Sequence, residues 1–215
     1  MKRLSNGISR FDFMLTNDFK SSCSFFLSLI AIACFIINPI KEQRICMYAI
    51  LVSSVADLVL MDYQGIPRFI FGNKRFYVGM LVFAITHVLY TICFSSIFFE
   101  NNLQLAKANF GMAGALVISA VTIFLVIKLS EEKRPFFRIA ALIYTLILCF
   151  TLTTIYICAD LLQEHYIYAA VGITFFLISD VLILIRETTK DTNVIRKFIW
   201  FFYPLGQILI ILSLL

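Results

Sequence analysis

Two carboxylates in this sequence stand where carboxylates are costly. Of its thirteen Asp and Glu residues, eleven fall in polar segments or at the ends of apolar runs; Asp57 and Asp180 lie inside such runs. An aspartate at the centre of a spanning helix costs about 2.5 to 3.5 kcal/mol on insertion scales, so these residues usually face a bundle interior and mark a site. Two carboxyls in different surroundings can work as an acid and base pair. Desolvation and like-charge repulsion push their proton affinities apart, so that one holds its proton near neutral pH while the other is ionised. A plain helix-helix hydrogen bond, or pairing of Asp180 with Arg186, is the structural alternative.

Other polar groups fall at matching depth. Asp57 lies four residues before the end of its span and Asp180 about five before the end of its own, roughly 6 to 8 Å in at 1.5 Å per residue. Tyr203 and Gln207 enter from the same side on the last span, about 8 and 14 Å deep, a helical turn apart and so on one face. His87 sits near mid-span, about 15 Å deep, with Tyr90 one turn further on. Taken alone, His87 reads as a buried histidine bonded to a neighbour; the polar groups around it make it a candidate base. His165 is the only other histidine and lies in a loop at the opposite side, so a three-histidine zinc site cannot be assembled and no metal is expected. Cys23, Cys34, Cys46, Cys93, Cys149 and Cys158 show no C-x-x-C pairing and read as small buried hydrophobes, with no cofactor implied.

The elements that must position these groups are apolar spans. The 215 residues are 61% hydrophobic and 14% charged, against about a quarter charged in soluble domains. The runs near Ser22 to Asn38, Arg44 to Met61, Tyr77 to Phe98, Gly111 to Ile127, Phe136 to Ala159, Tyr166 to Ile185 and Phe198 to Leu214 are each long enough to cross a bilayer core about 30 Å thick. Strand-type alternation is absent, so an all-α integral membrane bundle of about seven helices is expected over residues 22–215, after an N-terminal segment 1–21. The longest connection, Asp62 to Phe76, carries Gly65, Pro67 and Gly72 as turn formers. Pro204 and Gly206 interrupt the last span.

The net charge of +5 does not mark a nucleic-acid surface, because the cations lie in short loops without interleaved stacking aromatics. They read as topology signals. With the N-terminus inside, Lys2, Arg3, Arg10, Lys20, Arg68, Lys74, Arg75, Lys128, Lys133, Arg134, Arg138, Arg186, Lys190, Arg196 and Lys197 are inner, and Lys41, Arg44 and Lys107 outer. The positive-inside rule therefore predicts a multi-pass protein of the cell membrane with a cytoplasmic N-terminus and an outer C-terminus. The first apolar run lacks an A-x-A-like cleavage site and reads as a retained helix. A short echo relates Ser54 to Leu60 with Ile178 to Ile183; two parallel three-helix units or a biased composition would each produce it.

Phe76, Gly79, Phe83, His87 and Tyr90 spell F-x-x-G-x-x-x-F-x-x-x-H-x-x-Y, and in this the sequence resembles the YhhN-like membrane proteins, the family that includes the lysoplasmalogenases. Gly172, Phe176, Ser179 and Asp180 resemble the family's G-A-x-x-F-x-x-S-D segment, Asp57 its G-D acid, and Tyr203 with Gln207 its closing Y-x-x-x-Q. Ala56 replaces the glycine before the first acid, Ile173 the alanine after Gly172, and Ser21 the proline of a Lys-Pro pair. The family usually has eight helices, so seven imply a shortened N-terminal side.

The resemblance implies hydrolysis of the vinyl ether bond of a lysoplasmalogen, a lysophospholipid taken from the bilayer, to a fatty aldehyde and glycerophosphoethanolamine or glycerophosphocholine. On that reading one of Asp57 and Asp180 is the general acid and the other the stabilising carboxylate and base, with His87 as an alternative base. Tyr90, Tyr203, Gln207 and Ser179 would contact substrate or water, and Lys74, Arg75 or Lys197 would hold the phosphate. Two other classes compete: a seven-helix small-solute transporter, favoured by broken helices, and a non-catalytic lipid-binding or assembly protein. Neither oligomeric state nor head-group preference follows from the sequence.

Overall fold

Backbone amides in an apolar surrounding have no water to bond, so long apolar runs satisfy them within helices. A computed structural model of the chain describes residues 17–61, 66–131, 133–163, 165–189 and 191–215. Lys2, Arg3, Arg10, Asp62, Gly65 and Lys190 lie outside the described residues. The long helices are α1 (Asn17–Ile37), α2 (Lys41–Leu60), α4 (Arg75–Glu100), α5 (Asn109–Leu129), α6 (Pro135–Leu162), α7 (Tyr166–Thr188) and α8 (Asn193–Leu212). Between α2 and α4 lies a short helix, α3 (Ile66–Phe71). The described residues contain no strand, and the seven long helices are each long and apolar enough to cross a membrane.

Helix ends follow local chemistry. Pro135, with no N–H to lose, starts α6, and the Thr192 hydroxyl accepts the Ile195 amide at 3.3 Å to cap α8. The Asp160 carboxylate accepts the Gly111 amide at 2.9 Å in the first turn of α5. Two sequence expectations change. Pro67 does not form a loop turn but stands second in α3, where a missing N–H costs nothing; Gly72, at φ +53°, does make the turn that follows. α8 runs unbroken through Pro204 and Gly206, so the broken helix that favours a transporter is absent from this span.

α1, α2, α4, α6, α7 and α8 pack in that order into a closed ring, α8 returning to α1, while α5 lies outside against α6 and α7. Large apolar side chains such as Phe25, Ile36, Leu81, Phe124, Phe150 and Phe198 face outward, as lipid contact requires. Tyr90, Phe94, Leu152, Phe176 and Ile210 fill the interior. The α7 to α8 crossing is the tightest point for the site. A Cβ on Gly172 would stand 2.7 Å from the Gly206 carbonyl oxygen, and one on Gly206 would stand 2.7 Å from that of Gly172. Only glycine at both positions lets the two backbones touch.

Candidate active site

Asp57 lies three residues before the end of α2, and Tyr203 ten residues into α8. Tyr203 nonetheless donates to Asp57 Oδ2 at 2.8 Å. The helix ends are therefore staggered, α8 projecting about 10 Å, or two turns, past α2. α7 likewise continues eight residues beyond Asp180 to Thr188, three past the apolar run, so Asp180 is set deeper from its helix end than the run's edge suggests. The projecting turns of α7 and α8 make one wall of a cavity at the end of the bundle.

The polar groups form two clusters. In the first, Asp57 Oδ2 accepts from the Ser24 hydroxyl at 2.6 Å and from Tyr203. Tyr203 Oη also lies 3.3 Å from Ser53 Oγ, Gln207 Nε2 donates to Ser53 Oγ at 3.0 Å, and Tyr90 donates to Gln207 Oε1. In the second, Tyr144 donates to Asp180 Oδ2 at 2.5 Å and lies 3.2 Å from His87 Nε2, which is itself 3.7 Å from Asp180 Oδ2. Aromatic rings separate the clusters: Phe176 is 4.7 Å from the His87 ring and 5.4 Å from that of Tyr203, and Phe83 contacts both Phe176 and Tyr203. The two carboxylates share no hydrogen bond.

Each carboxylate faces its own cavity. Asp57 lies on a polar vestibule of about 1050 Å³, open mouth included, with Lys20, Arg75, Ser179, Arg186, Glu187, Asp191, Arg196 and Trp200. Asp180 lies on an apolar slot of about 610 Å³, likewise open, with Phe76, Met80, Val126, Phe137, Ala141, Tyr144 and Leu148. Leu60, Phe83 and Ile183 line both, so these side chains form a septum between the cavities.

Of the sequence candidates, Asp57, Tyr90, Tyr203 and Gln207 thus join one network, and His87 and Asp180 the other. Ser179 is fully buried on the vestibule wall, its Oγ without a hydrogen-bond partner, as is Nδ1 of the buried His87. His165 lines a separate cavity at the opposite end with Glu42 and Glu100. Among the described residues no three His, Cys, Asp or Glu side chains cluster to hold a metal ion.

Sequence reasoning missed Ser24, Ser53 and Tyr144. Serines in an apolar helix usually bond their own backbone, as Ser53 does to Ile50 O at 2.9 Å, so their sequence signal is weak. Tyr144 carried a stronger one, since nine residues into α6 it is too deep for an interfacial aromatic. The phosphate candidates also change. Arg75 lines the vestibule; Lys74 and Lys197 do not, while Lys20, Arg186 and Arg196 do.

Outside the spans, Asp191 receives the Arg196 guanidinium, with Nε donating to Oδ1 at 2.8 Å and Nη2 to Oδ2, which holds the Asp191 carboxyl below its usual range.

No curated protein and no solved structure gives a significant match to the chain. A family model does. It matches residues 18–214, and so takes in all seven spans and both cavities, and this chain belongs to the YhhN family.

Proposed function

We propose that this chain is a hydrolase that cleaves the vinyl ether bond of a lysoplasmalogen, giving a fatty aldehyde and a glycerophospho-base. The observation that carries the reading is the junction of a polar, charged vestibule and an apolar slot at Leu60, Phe83 and Ile183, with one aspartate on each side. An amphiphile laid across that septum has its alkenyl chain in the slot and its glycerophosphate in the vestibule. Its vinyl ether, where chain meets glycerol, then lies between Asp57 and Asp180.

The reaction needs no redox partner. One carboxyl gives its proton to the second alkenyl carbon, forming a C–H bond and leaving an oxocarbenium ion across the first carbon and the ether oxygen. The other carboxylate faces that cation and accepts a proton from the water that adds to the first carbon. The hemiacetal so formed breaks its bond to the glycerol oxygen, which takes the proton held by the second carboxyl, while the hemiacetal hydroxyl gives its proton to the first carboxylate. Aldehyde and a free glycerol hydroxyl leave, and both carboxyls regain their starting states. Tyr144 and Tyr203 each hold one aspartate oxygen and so fix which lone pairs reach the substrate. By the positive-inside rule, the vestibule end is the cytoplasmic end of a cell-membrane protein.

The test is aldehyde release from lysoplasmenyl-ethanolamine by the purified protein in detergent, set beside Asp57→Asn and Asp180→Asn. Release by the unmodified protein with loss in both variants is expected; equal rates in all three sink the mechanism. No release at all returns the transport and lipid-binding readings, which solute flux into proteoliposomes separates.

A further inference from the structure

The vestibule brings four cations together from four helices: Lys20 of α1, Arg75 of α4, Arg186 of α7 and Arg196 of α8. Topology explains why these residues sit at this end of the bundle, but Lys74, Lys128, Lys133 and Arg134 satisfy the same rule without lining the cavity. Arg186 and Arg196 are each braced by a carboxylate. Glu187 accepts from Arg186 Nε at 3.1 Å and Nη2 at 2.7 Å, and Asp191 takes Arg196 in a two-pronged pair. Lys20 Nζ stands 5.8 Å over the Trp200 ring, within electrostatic reach of both Arg186 and Arg196. Among the described residues, Asp57, Glu187 and Asp191 are the carboxylates on the same lining, and guanidinium and ammonium groups gathered from four helices onto one cavity attract an anion. Ser179 adds an independent sign. Its fully buried hydroxyl on the same wall has no partner, and a buried donor left unmade costs about 1 to 3 kcal/mol.

We infer that the vestibule is a binding site for a phosphate ester anion, held by Lys20, Arg75, Arg186 and Arg196, with the Ser179 hydroxyl donating to the ligand at its floor. Arginine and lysine supply charge-assisted hydrogen bonds to phosphate oxygens, and bracing by carboxylates fixes the guanidinium planes beforehand. In combination with the slot, the site takes the head of a phospholipid; this extension rests on the function proposed above, whereas the anion site does not.

The experiment is equilibrium binding to the full chain in detergent of three probes: a 1-O-alkyl-lysophosphoethanolamine, whose saturated ether cannot be cleaved by alkene protonation, the matching 1-O-alkylglycerol without phosphate, and inorganic phosphate. The unmodified protein is expected to bind the phosphorylated lipid at least about tenfold more tightly than the alkylglycerol. Lys20→Gln and Arg75→Gln erase most of that difference, Lys20→Arg restores it, and Lys74→Gln and Lys128→Gln leave it alone. Alkylglycerol binding stays constant throughout and reports an intact slot. Equal binding of the two lipids by the unmodified protein overturns the inference, as does a variant that loses both alike. Inorganic phosphate binding as tightly as the lipid supports the anion site with free phosphate as its source. Phosphate selectivity without aldehyde release keeps the anion site and removes the hydrolase.

Discussion

Asp57 and Asp180 carry the same functional group at the same end of one bundle, yet their surroundings differ in kind. Asp57 is 5% exposed and belongs to a chain of hydrogen bonds through Ser24, Tyr203, Ser53, Gln207 and Tyr90 that draws on α1, α2, α4 and α8. Asp180 has one tyrosine and one histidine beside it and otherwise looks onto a mainly apolar wall, in which the Thr122 and Thr145 hydroxyls donate to carbonyls of their own helices. The first is a carboxyl held by many partners beside charged side chains, the second a carboxyl held by few, beside mainly apolar ones. A single reaction that needs both a polar and an apolar partner surface can use both.

The largest effect is expected from the carboxylates themselves. Asp180→Asn and Asp57→Asn should each lower the rate of aldehyde release by about 10² to 10⁴, the span of general acid–base catalysis. Assays with the paired single and double variants sharpen the comparison, because two groups acting in one step lose little more together than apart. Next comes Tyr144→Phe, which removes the hydroxyl that touches both Asp180 and His87. A fall in kcat of about tenfold with KM held is expected, and an equal effect of Tyr144→Phe and Tyr203→Phe would erase the distinction between the clusters.

Gly172→Ala bears on how the two regions are held together, since α7 carries Asp180 and α8 carries Tyr203 and Gln207. Its Cβ meets the Gly206 carbonyl at 2.7 Å, and the overpacking should cost about 1 to 3 kcal/mol, read as a lower Tm in detergent. The smallest effect belongs to the vestibule rim. Asp191→Asn should cost about a few tenths of a kcal/mol at most, because the Asp191 and Arg196 side chains are 40% and 41% exposed to solvent. Arg196 depresses the Asp191 carboxyl, so this contribution is present above the unfolded carboxyl's range and fades as pH falls through the lower folded value. A thermal melt series between neutral and acid pH, with and without the substitution, measures it.

Much of the architecture is legible in the sequence. A helix in lipid must be a long apolar run, so seven runs predicted the seven long helices that form, and Pro67 and Pro204 misled because proline is tolerated in a first turn and within a packed spanning helix. Spacing likewise places Tyr203 beside Gln207 and His87 near Tyr90, since helical periodicity is a local property.

The partners of each aspartate are another matter. Whether Tyr144 meets Asp180 or lipid depends on the rotation of α6 within the ring, and whether Ser24 meets Asp57 depends on how α1 is staggered against α2. Those are set by packing between helices far apart in sequence, such as the Gly172 and Gly206 contact. Charge counting fixes the end of the bundle at which Lys20, Arg75, Arg186 and Arg196 gather, but any rotation of their helices satisfies the count equally. Sequence alone therefore determined the spans and singled out the two costly carboxylates within them. Only the tertiary structure decided that one faces a charged vestibule and the other an apolar slot, because azimuth and stagger, unlike apolarity, are properties of helix pairs rather than of helices.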